Sequence, residues 1–234
     1  MKTKKTTLIL PAALLALFAG GSAAQGGVVA PDYRGERILY AVTPVGKTEY
    51  RNLGMVDLEG ARMNLITLKT KALMVEDTEK VYNDPETLLP RKIEREVSGF
   101  WGTERITEEY DQKKGFVTIK KFKNGTQVST RILGEGGPMH SAILLPFYLR
   151  EHPNPQIGMQ MSVTILPNKF KVELVSIDRI TVPAGTFQAY HFKSMPDKFE
   201  VWINKDSPRV PLKIQGKGIF SYALSMQEYA PQNS

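Results

Sequence analysis

The chain has no cysteine, three histidines and two tryptophans among its 234 residues. Without cysteine it can form no disulfide, no thiolate nucleophile and no Cys-ligated metal site, so the fold must be held by packing. The histidines, His140, His152 and His191, show neither an H-x-x-x-H nor an H-x-H spacing. His140 and His152 would sit about a third of a turn out of phase on a continuous helix, so they share no face. No metal site and no cofactor is expected. Charge of one sign is also scarce. The formal net charge is +7, and three of the basic residues (Lys2, Lys4 and Lys5) lie in the N-terminal leader, which leaves +4 for the rest. That excess is too small for a nucleic-acid footprint. No apolar run after the leader is long enough to cross a membrane as a helix, which takes about 20 residues.

The leader itself reads clearly. A lysine-rich start, an apolar run from Leu8 to Phe18 and the small residues Ser22-Ala23-Ala24 form a secretory signal peptide over residues 1–24, with cleavage expected after Ala24. No cysteine follows that site, so a lipid anchor is not expected. Residues 25–234 are expected to form a single exported β domain located in the periplasm.

What remains is dominated by extended segments. "ERILYAV", "KTEYRNLGMVDL", "RMNLITLKTKA", "EKVYND" and "LPRKIEREV" lead to "TERITEEYD", "FVTIKKFK" and "TQVSTRIL". Asn124-Gly125 joins the last two, and both residues tolerate positive φ, the strongest short hairpin signal. After position 160 the β rhythm resumes through "QMSVTILP", "KFKVELVSIDRITV", "TFQAYHFKSM", "KFEVWINK", "VPLKIQGKG" and "IFSYALSMQEY". One stretch differs: in "GEGGPMHSAILLPFYLREHPNP" the residues Ala142, Ile143, Leu145, Phe147, Tyr148 and Leu149 give a helix with a broad apolar face. Pro146 inside it predicts a kink or a split. The expectation is a mainly β, strongly curled or barrel-like antiparallel sheet of about ten to twelve strands with one short helix. Its concave face is where an apolar ligand would sit.

Chemical motifs are thin. "VGKT" lacks the glycine that a phosphate-binding loop needs at position 41, which is alanine. "GEGG" could cradle an anion ahead of the helix, but reads better as a flexible connection. His140-Ser141 lacks the G-x-S-x-G elbow of a serine hydrolase. The acidic residues of "RKIERE" and "TERITEEYDQKK" read as solvated, charge-paired strand faces, and no carboxylate pair stands out for glycosidase work. "VPAGTFQAYHF" reads as a turn followed by a strand in which Phe187, Ala189 and His191 share a face, making His191 a satisfied core histidine rather than a catalytic one. No catalytic residue is expected. The candidate ligand- or partner-binding residues are aromatic: Phe100 and Trp101 in the glycine-bracketed turn "SGFWGTE", together with Trp202 and Tyr148.

The order of several motifs resembles an exported bacterial family, Domain of Unknown Function 3108. The V-x-A-G-x-F turn at 182–187 is followed by Trp202, Asp206, Arg209 and Pro211. Upstream stand Asp84, Thr87, Leu88 and Pro90, an apolar helix ending in Leu149-Arg150, and the first strand "GERILYAV". The resemblance implies an exported antiparallel β protein with no assigned catalytic residue. The functional expectation is a non-enzymatic binding or accessory module for an apolar or amphiphilic envelope component. Its partner would be a lipid, a glycan or an envelope protein. The alternatives are an interaction protein using edge strands or the aromatic loop, and a hydrolase of envelope polymers.

Overall fold

The computed structural model describes residues 33–134, 136–218 and 221–231. The expected leader, 1–24, lies outside them. Fourteen strands form one antiparallel sheet: β1 (Arg37–Thr43), β2 (Lys47–Leu58), β3 (Ala61–Ala72), β4 (Val75–Asn83), β5 (Pro90–Gly99), β6 (Gly102–Asp111), β7 (Phe116–Lys123) and β8 (Thr126–Gly134), then β9 (Gln160–Ile165), β10 (Asn168–Val182), β11 (Gly185–Met195), β12 (Phe199–Asn204), β13 (Pro211–Gly216) and β14 (Tyr222–Ala230). The expectation of ten to twelve strands was too low. Each extended segment kept its own strand, separated by short turns everywhere except between β8 and β9, where the short helix intervenes. Asn124 and Gly125 take φ 48° and 82° between β7 and β8, as the hairpin signal required.

Two meanders, β1 to β8 and β9 to β14, are joined by pairing of β1 with β14. The sheet edges are β8 and β9, which do not pair, so the sheet is not closed. It is nevertheless strongly curled. One core cluster takes Ile38, Tyr40, Tyr50, Ile66, Val81, Ile93, Tyr110 and Val117 from β1 to β7, together with Ala189 of β11 and Trp202 of β12. Strands so far apart in sheet order can share a core only if the sheet wraps around it. A second cluster packs Leu145 and Leu149 against Val172, Leu174, Phe192, Val201 and Ile203.

The gap between the edges is crossed by residues 136–159, which carry α1 (Leu145–Arg150). The helix starts later than the pattern suggested, so Pro146 falls in its first turn. There its missing N–H and fixed φ cost nothing, and the expected kink does not arise. The backbone N–H and carbonyl of Met139 are both held by the Gln112 side chain, and the His140 N–H donates to the Thr164 carbonyl at 2.7 Å. Phe147 stacks on Tyr50 at 4.2 Å between ring centres. Arg150 donates twice to Glu36, at 3.0 and 3.1 Å, with both side chains 1% exposed.

This arrangement closes one end of the wrapped sheet. Hairpins alternate ends, so the turns at 59–60, 84–89, 112–115, 183–184 and 205–209 lie at the closed end. The turns at 44–46, 73–74, 100–101, 124–125, 166–167 and 196–198 lie at the other. The Val182-Pro183-Ala184-Gly185 corner, a two-residue hairpin, docks at the closed end, where the Ala184 N–H donates to the Met226 carbonyl at 3.1 Å.

Candidate ligand cavity

The alternation of each strand decides what lines the concave face. Tyr50 and Thr48 point inward from β2, and Ile66, Leu68 and Thr70 from β3. Val81 faces Ile66 and Ile93 across the strands. One pleat farther from the closed end, Glu79 is registered with Leu68 and with Arg95, and Asp77 with Thr70. Glu108 of β6 is registered with Ile93 and Ile119, and Tyr110 with Val117. All of these except Ile66 and Val81 line a cavity of about 630 Å³, within the usual range for small-molecule sites.

The cavity has an apolar floor and a polar wall. Burial falls along the strands toward the open end: Ile66, Val81, Ile93 and Tyr110 are buried, whereas Leu68, Glu79, Arg95 and Glu108 are half-buried. Arg95 grips Asp77 with two nitrogens, Nε at 3.0 Å and Nη2 at 2.5 Å, and lies 3.7 Å from Glu79. The Tyr110 hydroxyl donates to Glu108 at 2.5 Å. Burial pushes the Glu79 carboxyl up to about 7, with Asp77 and Glu108 adding to the rise and Arg95 opposing it. The wall thus holds three carboxylates against one guanidinium. On the far side His140 and Ser141 line the same space. His140 accepts the Thr164 N–H on Nδ1 at 3.3 Å, and burial lowers its pKa to about 4, so at neutral pH its Nε2 carries the proton. A smaller cavity of about 240 Å³ lies beyond the Tyr50–Phe147 stack, lined by Asn52, Asn64, Ile66 and Arg150.

The aromatic candidates lie elsewhere. Phe100 is 83% and Trp101 39% exposed at the β5–β6 turn, where they meet edge to face at 4.9 Å. Trp202 is buried between the His191 ring, stacked at 4.3 Å, and the Lys213 ammonium. Tyr148 is half-buried against His140. None of the four lines either cavity. His191 is 7% exposed, with Nδ1 at 2.8 Å from Asp178 and Nε2 at 3.0 Å from Glu200, as a satisfied interior histidine should be. Ser176 approaches Nδ1 at 3.4 Å, but Asp178 already occupies that nitrogen. The glycines at 136 and 137 form a connection with positive φ, well ahead of the helix start at Leu145, so they build no anion cradle.

Reading these strand faces as simply solvated was wrong for Arg95 and Glu108, which face inward together with Glu79 of β4. A parity signal was present: Glu79 alternates in step with Val81, Arg95 with Ile93, and Glu108 with Tyr110.

A family model matches residues 62–220, more than half of the chain. The chain belongs to the DUF3108 family of proteins of unknown function. The motifs that mark DUF3108 here are architectural. Asp84 accepts the N–H groups of Glu86 and Thr87, turning the chain into β5. Arg209 donates to the His152 carbonyl at 2.6 Å, just past the end of α1. The Pro211 carbonyl takes the hydroxyl of the buried Tyr40. No curated protein matches the chain. Among solved structures, this DUF3108 chain is similar to a beta-barrel-like protein of Domain of Unknown Function DUF1849 from Brucella abortus. The TM-score is 0.53 at 10% identity, covering 86% of this chain and 100% of that one. The likeness is one of fold.

Proposed function

We propose that the protein is an exported, periplasmic, non-enzymatic binding module that holds an amphiphilic cell-envelope component inside its curled sheet. The observation that carries this reading is the 630 Å³ cavity, apolar at the closed end and polar toward the open end. An apolar tail gains by leaving water for the floor of Tyr50, Ile93 and Val117. The wall of Asp77, Glu79 and Glu108, with Arg95 already committed to Asp77, favours a head group rich in hydrogen-bond donors, such as an ammonium or a hydroxylated group. Two further features support a carrier over a hydrolase. The nitrogens of His191 face carboxylates, and the Nδ1 of the cavity's His140 is held by a backbone N–H.

The test is binding of an environment-sensitive apolar dye, followed by displacement with long-chain amines and long-chain carboxylates. The native protein should bind the dye, and the amine should displace it better. Filling the cavity with Leu68→Trp and Ile106→Trp should abolish binding while the β circular-dichroism signal stays. Dye binding that survives the filled cavity, or none in the native protein, would overturn the proposal.

A further inference from the structure

The two ends of the wrapped sheet differ sharply in polarity. At the open end the turns expose Val45, Leu73, Met74, Phe100 and Trp101, with Leu73 at 85% and Phe100 at 83% exposure. Met195 and Tyr222, also exposed, continue the rim beside β12 and β13. Among the described residues, the hairpin turns of the closed end expose no large apolar side chain, although Ile157, in the segment ahead of β9, is 62% exposed. The three aliphatic and aromatic tips belong to the β1–β2, β3–β4 and β5–β6 hairpins. Neighbouring strands lie about 4.8 Å apart, so successive tips stand about 10 Å apart in one row. Neighbouring turns adjoin: Gly46 lies against Lys71 and Ala72, the β4–β5 register pairs Glu76 with Ser98 just inside the 73–74 and 100–101 turns, and the Asn124 side chain reaches the Thr103 N–H.

Basic side chains flank this row. Lys47, Lys69, Lys71 and Lys123 are all exposed. Lys47 stands directly opposite Lys71 in the β2–β3 ladder, and like charges so placed oppose pairing. The nearby acids Glu76, Glu96 and Glu104 form ion pairs with Lys71, Arg105 and Lys121; Lys47, Lys69 and Lys123 are outside those pairs, although Glu49 is registered opposite Lys69 and Glu104 opposite Lys123. Scattered single apolar residues need no explanation, but a row of aliphatic and aromatic tips flanked by lysines does. Aromatic and aliphatic tips beside lysines match the chemistry of a lipid interface with anionic headgroups.

We propose that the open rim is a docking face for an anionic lipid surface, with Leu73, Met74, Phe100 and Trp101 entering the interface and Lys47, Lys69 and Lys123 facing the headgroups. Docked this way, the mouth of the cavity faces the membrane, and an amphiphile could pass between the two without crossing water. The docking itself rests on the rim alone and does not require the cavity to hold a ligand.

Co-sedimentation with vesicles of phosphatidylglycerol and phosphatidylethanolamine, against vesicles of phosphatidylcholine, reads the proposal. The native protein should bind the anionic vesicles, and added salt should weaken it. Leu73→Ser with Phe100→Ser, both at exposed turns, should lower the affinity about a hundredfold, since each loses most of a large side chain's transfer energy. Lys47→Gln with Lys69→Gln should cost about tenfold or more, on the anionic vesicles only. Brominated lipid chains should quench Trp101 and spare the buried Trp202. All these variants should bind the cavity dye as the native protein does, which separates failure of the rim from failure of the cavity. Absent binding to anionic vesicles, or rim variants that bind as well as the native protein, would overturn the proposal. So would rim-dependent self-association without vesicle binding, which would make the rim an interface between copies.

Discussion

Burial acts on Glu79 and His140 in the same cavity, and it favours the neutral form of each. For Glu79 the folded-state pKa, about 7, lies above the ordinary carboxylate value, so the folded chain holds an extra proton between about 4.5 and 7. Ionising Glu79 as pH rises through that window therefore destabilises the fold. His140 is displaced downward to about 4, so between about 4 and 6.5 the unfolded chain binds the extra proton and stability rises with pH. The two slopes oppose one another, so between pH 4.5 and 6.5 these two groups together add little net pH dependence to the stability read in urea melts. Glu79→Gln should remove one slope, gaining about 2 kcal/mol at pH 8 and little at pH 4.5. His140→Asn, which keeps an acceptor for the Thr164 N–H, should remove the other slope, so that relative to the native protein the variant gains stability as pH falls from about 6.5 toward about 4.5. A pH-independent effect of Glu79→Gln would contradict the buried-carboxylate account.

The six-residue helix α1 is too short to be stable by itself, and it holds because of what it buries. Five of its residues are buried, and Phe147 lies flat on Tyr50. Phe147→Ala should cost about 3–5 kcal/mol, as large-to-small changes in aromatic cores do. The same change opens a path between the two cavities, which both touch Tyr50 and Phe147. Chemical denaturation would read the stability, and dye binding should rise in capacity rather than vanish. The existence of this helix was legible from its apolar spacing. Its start was not, because the pattern treats Ala142 and Ile143 like the residues after them. Only the turn closed by the Ser141 hydroxyl and carbonyl, which bond the Ile143 and Leu145 N–H groups, delays the helix to position 145. The long strands, by contrast, were legible nearly residue by residue, since strand alternation is a local property of period two.

The molecule as a whole is tied across its closed end by one buried ion pair. Glu36 precedes β1, Arg150 ends α1, and 114 residues separate them. Burial raises the Glu36 carboxyl, and the facing guanidinium opposes that rise. The Tyr33 ring covers the guanidinium at 3.5 Å. Glu36→Gln should cost about 3–5 kcal/mol by stranding Arg150, and the double variant Glu36→Gln with Arg150→Met should recover part of that loss. A double-mutant cycle by thermal unfolding checks this, and strict additivity would show that the pair carries no coupling.

The order of strands, their facing residues, the Asn124-Gly125 hairpin and the family membership all follow from the chain read alone, because each rests on spacing within a few residues. Which face became the inside does not. Parity places Glu79 with Val81 and Arg95 with Ile93, but it cannot say whether that shared face is wrapped or solvated. That choice is made by the pairing of β1 with β14 and by the plug of residues 139–150, contacts between segments far apart in sequence. For the same reason the apolar turns at 45, 73 and 100 look unrelated along the chain. They become one rim only when alternating hairpins bring them to the same end of the sheet.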